Sequence, residues 1–446
     1  MSRDEAGPND RPRFIRPLVD FLHTEAAGGV ALVAAALVAL AWANSPWDES
    51  YHDLWTTHFS MTLGSHEIDL DLRHWINDGL MALFFFVVGL EIKRELVEGE
   101  LRDPRRAALP AIAALGGMVV PAAIYAAFNA GGEGSDGWGI PMATDIAMAV
   151  GVLSLLGSRI APSLKLFLLA LAIVDDIGAI LVIAVFYTDE IRGYALAVAL
   201  GLVIVVALMR RAGVRSILPF AAVGLALWFA LHESGVHATL VGVVLGSMAP
   251  TRPLLRPELI DAAELADVSS YDAARKTATT AREAVSVVEW LEHLLHPWTS
   301  FVVVPLFALA NAGLSLSGDT VGDALASPIA AGIVVGLVVG KVVGVTGFTW
   351  LATRLRVASL PQGSNWAGIV GVSALAGIGF TVSLFVAGLA FADAALEDEA
   401  KVAILCASVL AAAIGSTLIL ATSRRVGRAD SEAGAAASLP SRAPTD

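Results

Sequence analysis

Two adjacent aspartates, Asp175 and Asp176, lie at the centre of the apolar run 166–186 (LFLLALAIVDDIGAILVIAVF). The run has the length of one membrane crossing, which takes roughly 20 residues in a helix. A carboxylate at the middle of such a helix costs about 2.5–3.5 kcal/mol on insertion scales. Ionisable residues inside membrane segments usually belong to an ion path or a proton relay, and we expect such a role for this pair.

The whole chain has the composition of an integral membrane protein. Hydrophobic residues make up 56% of its 446 residues and the mean hydropathy is +0.70, whereas soluble domains are about 45–50% apolar. The single cysteine, Cys406, excludes an internal disulfide. The net charge of −13 says little about nucleic-acid binding, because the charges are sorted between the two faces of the predicted membrane protein. We expect no nucleic-acid partner.

We predict twelve membrane-spanning helices, and the distribution of positive charge tests this number. Nearly all of the 29 Lys and Arg fall on the face that carries both termini, which the positive-inside rule makes cytoplasmic. The exceptions are Arg73, Arg192 and Lys401 on the opposite face and Lys341 within a span. The predicted spans are 22–43, 75–92, 107–128, 139–157, 164–187, 194–209, 216–231, 235–249, 290–312, 328–351, 366–391 and 401–421.

Segments outside the spans complete the predicted organisation. Residues 59–72 alternate apolar and polar around Gly64-Ser65, which predicts an external β-hairpin. An isolated hairpin is only marginally stable, so we expect it to pair with another subunit. The predicted units are a cytoplasmic tail at 1–16, the helical unit at 17–423 with a cytoplasmic loop at 250–288, and a second cytoplasmic tail at 424–446.

Helix breakers interrupt the fourth and the eleventh span. Pro141 precedes Thr144 and Asp145 in the fourth, and Gly377-Ile-Gly379 lies within the eleventh. Such breaks are tolerated at membrane depth where they line a cavity. Spans three to five begin inside, spans ten to twelve begin outside, and each trio has its interrupted member in the middle. This topology predicts an all-α membrane protein with an inverted repeat and a binding site between the broken helices.

Eight segments resemble the NhaA family of bacterial sodium/proton antiporters, in family order over nearly the whole chain. The segments are WINDGLMALFFFVVGLEIKREL (75–96), ATDIAMAVGVLSLLGSR (143–159), ALAIVDDIGAI (170–180), SGVHATLVGV (234–243), LEHLLHPW (291–298), PLFALANAG (305–313), GKVVG around Lys341 and GIGFTVSLFVAGLAF (377–391). The stretch 250–286 looks longer than the usual connection, and the tails are unmatched.

The resemblance implies a transporter rather than an enzyme. It implies pH-regulated, electrogenic exchange of cytoplasmic Na⁺ or Li⁺ for external protons across the bacterial inner membrane, without a cofactor. The partners implied are these ions, the lipid bilayer and a second copy of the chain, joined through the hairpin.

The resemblance also assigns roles at the centre of the membrane. Asp176 is expected to be the principal cation ligand and Asp175 the partner that exchanges protons, since carboxylate oxygens suit a hard cation. Lys341 is expected to pair with Asp175, and it either carries a proton itself or acts only through its charge. Thr144 is expected to offer a hydroxyl to the cation. Asp145 either neutralises the positive ends of half-helices, which we favour, or ligates the cation.

A second set of residues is assigned to pH response. Histidines suit a switch near neutral pH, because their ordinary pKa is about 6.5, and a carboxylate cluster at the cytoplasmic face forms a cation funnel. The alternative interpretation is a solvated helix end. Asp78 either relays protons or caps a neighbouring helix. The residues assigned to pH response are Glu91, Arg94, Glu95, Glu292, His293, His296 and, near the external side, His237.

Other uses of buried aspartates fit the sequence less well. An intramembrane aspartyl protease takes one carboxyl from each of two helices, and a prenyltransferase motif needs an acidic residue where this chain has Ala179. A passive channel fits less well than an occluded site, because Lys341 is basic. The strongest alternative is a sodium-coupled symporter of a small organic solute, which needs more polar side chains near the midplane than these spans offer.

Overall fold

The computed structural model describes most of the helical unit. The described residues are 15–63, 66–188, 191–253, 284–315 and 326–437, together with 275, 277, 279, 280, 282 and 322. The predicted N-terminal tail up to residue 14, most of the predicted loop 250–288 and residues 438–446 lie outside them.

Long apolar helices dominate the described part of the chain, as the composition predicts. In that part, nine helices are long and apolar enough to cross a bilayer, and two bent helix pairs raise the number to eleven. The chain is therefore a multi-pass membrane protein. In chain order the helices are α1 (Ile15–Ala43), α2 (Asp48–Thr56), α3 (Leu72–Val97), α4 (Pro104–Asn129), α5 (Ile146–Leu156), α6 (Pro162–Phe186), α7 (Gly193–Arg211), α8 (Ile217–Ser234), α9 (Leu240–Met248), α10 (Val287–Asn311), α11 (Pro328–Arg354), α12 (Trp366–Leu375), α13 (Phe380–Ala390) and α14 (Ala394–Ala437).

The predicted eighth span, 235–249, corresponds to the short helix α9. This helix has nine residues, and roughly 20 are needed to cross a bilayer. It packs closely on α3, where a Cβ atom added at Gly89 would lie 2.8 Å from the carbonyl oxygen of Val243. The many-span helical fold is thus confirmed, whereas the number of twelve spans stays a prediction.

The last helix, α14, continues past the predicted boundary at residue 423. It ends at Ala437, so part of the predicted C-terminal tail is helical. Alanine has the highest helix propensity, and the stretch SEAGAAA at the end of α14 is rich in it. Hydropathy alone does not register such a polar extension of an apolar helix.

The predicted hairpin is present between α2 and α3. Its strands, β1 (His58–Leu63) and β2 (His66–Asp71), pair antiparallel with Phe59 opposite Leu70. The ring of Phe59 meets that of Trp75 edge to face, with 6.0 Å between centroids. The indole nitrogen of Trp75 also donates a hydrogen bond to the Phe59 carbonyl, at 2.8 Å. These contacts tie the hairpin to the start of the α3 membrane helix.

Both predicted helix interruptions are present, and they meet. A 3-10 segment, Glu133–Met142, leads into α5 with a bend of 44°, and α12 leads into α13 with a bend of 48°. The Asp145 N–H donates a hydrogen bond to the Ile378 carbonyl at 2.6 Å. This bond joins the two irregular stretches directly, as is expected of a site between broken helices.

Buried apolar residues form two large clusters that share helix α6. One cluster includes Phe167 and Leu171, and the other includes Ile180 further along the helix. Asp175 and Asp176 lie between these positions. The carboxylates therefore occur where the two halves of the apolar core meet.

Helices α4 and α11 approach each other backbone to backbone beside the aspartates. A Cβ atom added at either Gly116 or Gly344 would clash with the backbone of the other glycine. Small residues permit such close packing, which matters in membranes because van der Waals contact largely drives helix association there. Lys341 lies one turn before Gly344, so this contact sets its depth and direction.

Candidate functional site

A fully buried ion pair forms the centre of the site. Lys341 Nζ lies 2.7 Å from Asp175 Oδ2, and both side chains have 0% exposure. Thr144 Oγ1 donates to the same carboxylate oxygen at 2.7 Å. Lys341 also donates to the Met142 carbonyl at 2.5 Å. The expected pair is therefore present, and removing either partner would leave an uncompensated buried charge.

Asp176 has a different environment because it lines a small cavity. The cavity has a volume of about 50 Å³. Asp176 is 5% exposed, and its Oδ1 atom has no hydrogen-bond partner among the described residues. An oxygen in this state carries a desolvation cost that a bound cation would offset. The polar residues around the cavity are Glu91, Thr144, Asp145, Asp176, His296, Thr299, Ser300 and Thr381.

Asp145 connects the two broken helices. Its Oδ1 accepts a hydrogen bond from the Met148 backbone at 2.9 Å, which caps the start of α5. Its Oδ2 accepts from both the backbone (3.0 Å) and the hydroxyl (2.5 Å) of Thr381, in the first turn of α13. The positive ends of two half-helices therefore meet at one carboxylate. This arrangement favours the structural role of Asp145 over direct ligation.

Two of the residues predicted to respond to pH, Glu91 and His296, line the cavity, and Arg94 and Glu292 each lie one helical turn away from one of them. Arg94 on α3 and Glu292 on α10 form an ion pair, in which the Glu292 side chain is 7% exposed. His296 lies one turn further along α10, is buried and lines the cavity. Glu91 lines it from α3. Helices α3 and α10 thus place charged and titratable groups beside Asp176.

Two other residues of this set, like Arg94 and Glu292, do not line the cavity. His293 is exposed, because it points about 100° away around α10 from its buried neighbour Glu292. Glu95 accepts a hydrogen bond from the backbone of Glu100 at 2.8 Å, which caps a short 3-10 turn after α3. Glu95 lies near the end of α3 and His293 near the start of α10.

His237 and Asp78 lie apart from the cavity. The His237 ring nitrogen Nε2 bonds to the backbone carbonyl of Tyr187, just after α6. The backbone carbonyl of Asp78 accepts a hydrogen bond from the Trp228 indole at 3.0 Å. The electrostatic neighbours of the Asp78 side chain are His232, His74 and, more weakly, His237. Neither Asp78 nor His237 lines the cavity that contains Asp176.

Three π-helical turns were not predicted from the sequence. They cover Trp75–Leu80, Thr299–Val303 and Gly336–Gly340. The first contains Asp78, the second lines the cavity and the third directly precedes Lys341. Such turns are rare and often occur at functional sites. No hydropathy pattern predicts them, but adjacent hydroxyl residues at 299 and 300 in an apolar span are a signal that could have been used.

A cation at this site would need mixed oxygen ligands. Among the described residues, no three His, Cys, Asp or Glu side chains are grouped as a metal centre. Asp176 would therefore share the ion with hydroxyl, carbonyl or water oxygens, which are ligands that hard cations accept. A site with few charged ligands binds an ion weakly enough to release it again.

Comparison with known proteins gives one consistent result. The sequence model of a family described as Na⁺/H⁺ antiporter 1 matches residues 19–419. A protein of Rhodopirellula baltica named Na(+)/H(+) antiporter NhaA is 47% identical, over 92% of this chain and 95% of the relative. Its namesake in Oleidesulfovibrio alaskensis is 46% identical, over 91% and 94%. The Na(+)/H(+) antiporter NhaA 3 of Frankia alni is 44% identical, over 94% and 92%.

Proposed function

The chain belongs to the Na⁺/H⁺ antiporter 1 family, and from this premise we propose that it exports cytoplasmic Na⁺ or Li⁺ in electrogenic, pH-regulated exchange for external protons. Membership in the family supports the exchange of Na⁺ for H⁺. The use of Li⁺, the roles of the two aspartates, the electrogenic stoichiometry and the regulation by pH are our proposals.

The observation that carries the assignment of roles is the contrast between two neighbouring carboxylates. Asp175 Oδ2 is engaged by Lys341 and Thr144, and Asp175 does not line the cavity, whereas Asp176 does. In each carboxylate Oδ1 has no hydrogen-bond partner among the described residues. Adjacent residues on a helix point about 100° apart, which accounts for the contrast. We assign cation binding to Asp176 and proton exchange to Asp175.

Exchange follows from competition between protons and the cation for the same carboxylates. While the site faces outward, external protons neutralise the acidic groups. When it faces inward, Na⁺ enters the cavity, binds Asp176 with the help of the Thr144 hydroxyl, and displaces the protons. Movement of one helical bundle against the other around the broken helices would then change the exposed side.

Two protons exchanged for one Na⁺ move one net charge in each cycle. This charge is worth about 2.3 kcal/mol per 100 mV of membrane potential. One proton belongs to Asp176, and the second belongs either to Asp175, when its pair with Lys341 breaks, or to Lys341 itself. Lys341→Arg separates these cases, because arginine keeps the charge but does not release a proton in proteins. Voltage-driven exchange by this variant would assign the second proton to Asp175.

We propose that the cytoplasmic group makes exchange depend on pH. A change in the charge of His296 or Glu292 would alter the field at the cavity, since both lie on the helix that lines it. Asp78 is assigned to proton relay near the external side, together with His237. The remaining members of the proposed cytoplasmic sensor are Glu91, Arg94, Glu95 and His293.

The wider architecture is proposed from the same family. We infer twelve spans with an inverted repeat of spans three to five and ten to twelve, an inner-membrane location and cytoplasmic termini. The exposed β-hairpin would join two copies. Replacing residues 58–71 with a short flexible linker should then convert a dimer into a monomer, as measured by the mass of the detergent-solubilised protein. A dimer that survives this replacement would contradict the hairpin interface.

Everted membrane vesicles test the proposed exchange directly. Respiration acidifies their interior, and a fluorescent weak base reports the gradient. Adding Na⁺ or Li⁺ should release protons from vesicles that contain the wild-type chain. Asp176→Asn should abolish this response, because it removes the charge that binds the cation. Asp53→Asn, at an exposed carboxyl on α2, is the matched control and should respond as the wild type does.

The pH range of the assay matters because the proposed exchange is regulated. Measurements should extend from pH 6.5 to about 9, which spans and exceeds the usual histidine range. A wild-type protein that leaves the gradient untouched by Na⁺ and Li⁺ throughout this range would overturn the proposal. If the rate of exchange does not change with an imposed membrane potential, the protein is still an antiporter, but the electrogenic stoichiometry is excluded.

A further inference from the structure

We infer that the hydroxyl groups of Thr299 and Ser300 hold the cation at a waiting position on the cytoplasmic side of Asp176. There they would replace part of its water shell before the ion reaches the carboxylates. This inference rests on the proposed function. The waiting position is a second binding position for the cation, and it accounts for an ion path that enters beside α10.

Both hydroxyl residues lie where α10 changes its helical pitch. Thr299 and Ser300 begin the π-helical turn Thr299–Val303, and they are 4% and 8% exposed. They line the same cavity as Asp176. A π-helical turn widens the helix by one residue per turn and changes which side chains face inward. Here it places two consecutive hydroxyl residues on a wall that a regular apolar span would fill with hydrocarbon.

Close packing from α1 keeps this wall in position. A Cβ atom added at Gly28 would lie only 2.8 Å from Ser300 Cβ. The absence of a side chain at Gly28 thus allows the α1 backbone to press against the turn. Ser300 has no room to move away from the cavity on that side, so its hydroxyl stays near the ion path.

The hydrogen bonding of Thr299 suits an oxygen ligand. Its Oγ1 donates a hydrogen bond to the His296 carbonyl at 2.9 Å. A hydroxyl that has used its proton in this way still carries lone pairs that can bind a cation. The ion would therefore meet the oxygen of Thr299 rather than its hydrogen.

The confined shape of the cavity favours an exchange of ligands at this point. Its volume is about 50 Å³ and side chains form its wall, so an ion that enters comes within reach of protein oxygens. These oxygens would replace some of its water. Glu91 and Asp176 on the cavity wall attract the cation, and neutral hydroxyls bind it weakly enough to let it continue.

The test separates binding on the cytoplasmic side from binding at the central carboxylates. Ser300→Ala and Thr299→Val remove one hydroxyl each with little change in packing. In everted vesicles, where the cytoplasmic side faces the added ion, we expect the apparent KM for Na⁺ to rise roughly two- to tenfold. The maximal rate and the pH profile should stay at wild-type values.

Right-side-out vesicles supply the second readout. There Na⁺ reaches the site from the external face without passing the hydroxyls, so its apparent KM should not change. Ser408→Ala is the matched control, because Ser408 is a buried serine on α14 that does not line the cavity. It should leave both KM values unchanged. Thermal melting of the purified variants should show that all three fold as the wild type does.

Two results would overturn the inference while leaving the proposed exchange intact. In the first, both hydroxyl variants keep the wild-type KM from the cytoplasmic side, while Asp176→Asn still abolishes exchange. In the second, KM rises equally from both sides, which would make the hydroxyls part of the central site. If the wild-type chain itself fails to exchange Na⁺ for protons, the proposed function fails first and this inference falls with it.

Discussion

Lys341 Nζ lies 2.7 Å from Asp175 Oδ2, and the two atoms belong to side chains with no exposure at all. Breaking a buried pair by removing one partner costs about 3–5 kcal/mol, whereas replacing both partners is often nearly neutral. We therefore expect Lys341→Met to melt well below the wild type. The double variant Lys341→Met with Asp175→Asn should melt above either single variant.

Thermal melting of the four proteins in one detergent completes this double-mutant cycle. The Asp175→Asn single variant supplies the fourth corner. Strictly additive losses would show that the two charges do not stabilise each other, despite their distance. Transport is expected to fail in the double variant, since it removes the groups that we propose exchange protons. Stability and transport are therefore measured separately.

Thr381→Val should destabilise the protein more than Thr346→Val. The Thr381 hydroxyl donates to the charged oxygen of Asp145 at 2.5 Å, whereas that of Thr346 donates to the neutral hydroxyl of Ser373 at 3.1 Å. Hydrogen bonds to charged groups contribute about 1.5–3 kcal/mol and neutral ones about 0.5–1.5. Melting temperatures of the two variants provide the comparison. If both variants lose the same amount of stability, the bond from Thr381 to Asp145 contributes no more than a hydrogen bond between neutral groups.

At the end of the hairpin, the Asp71 carboxylate is expected to stabilise the folded protein by an amount that depends on pH. Partial burial alone would raise the pKa of the Asp71 carboxyl, but hydrogen bonds from the His74 backbone and ring outweigh it and hold that pKa below its usual value. A lowered pKa in the folded state stabilises the protein above the unfolded-state pKa, which is about 3.9. This contribution is lost as the pH falls through the folded-state value.

Asp71→Asn should accordingly melt below the wild type at pH 7, and the gap should narrow as the pH falls below about 4. Melting curves at several pH values, in the same detergent, measure the gap. Asp53→Asn serves as a reference for an exposed carboxyl on the neighbouring helix α2. A gap that is constant from pH 7 to acid conditions would contradict the role of the ionised carboxylate.

Gly116→Ala and Gly201→Ala should change stability in opposite directions. At Gly116 the new methyl group would collide with the backbone of Gly344 and force α4 away from α11. At Gly201, within α7, no atom lies within 4 Å of the added Cβ, and alanine in a helix is favoured over glycine by about 0.5–1 kcal/mol. Melting of both variants tests this. If Gly116→Ala leaves the melting temperature unchanged, α4 and α11 can move apart without loss of stability.

Features that follow from burial of charge and from apolar length were predictable. The spans are long apolar runs, and the breaks occur where Pro and Gly interrupt them. The pair of Lys341 with Asp175, 166 positions apart, could be anticipated because two opposite charges inside a membrane strongly favour contact. The hairpin itself was predictable from alternation around a two-residue turn.

Features that depend on helix packing were not predictable. Asp145 and Thr381 are 236 positions apart, and their contact exists only because the two breaks cross. The sequence also did not predict that, within the group Glu292, His293 and His296, only His296 lines the cavity while His293 is exposed. The π-helical turns likewise arise from packing, since a Gly or a hydroxyl residue permits such a turn without requiring it.

The single carboxylate that caps both α5 and α13 restricts how the protein can change shape. Pulling the two half-helices apart would strand at least one positive helix end in a medium of low dielectric, without its counter-charge. The two half-helices joined at Asp145 are therefore expected to move together as one rigid body during the transport cycle. We therefore expect sliding to occur along the outer contacts with surrounding helices, so that the open side of the site changes while the two half-helices stay joined.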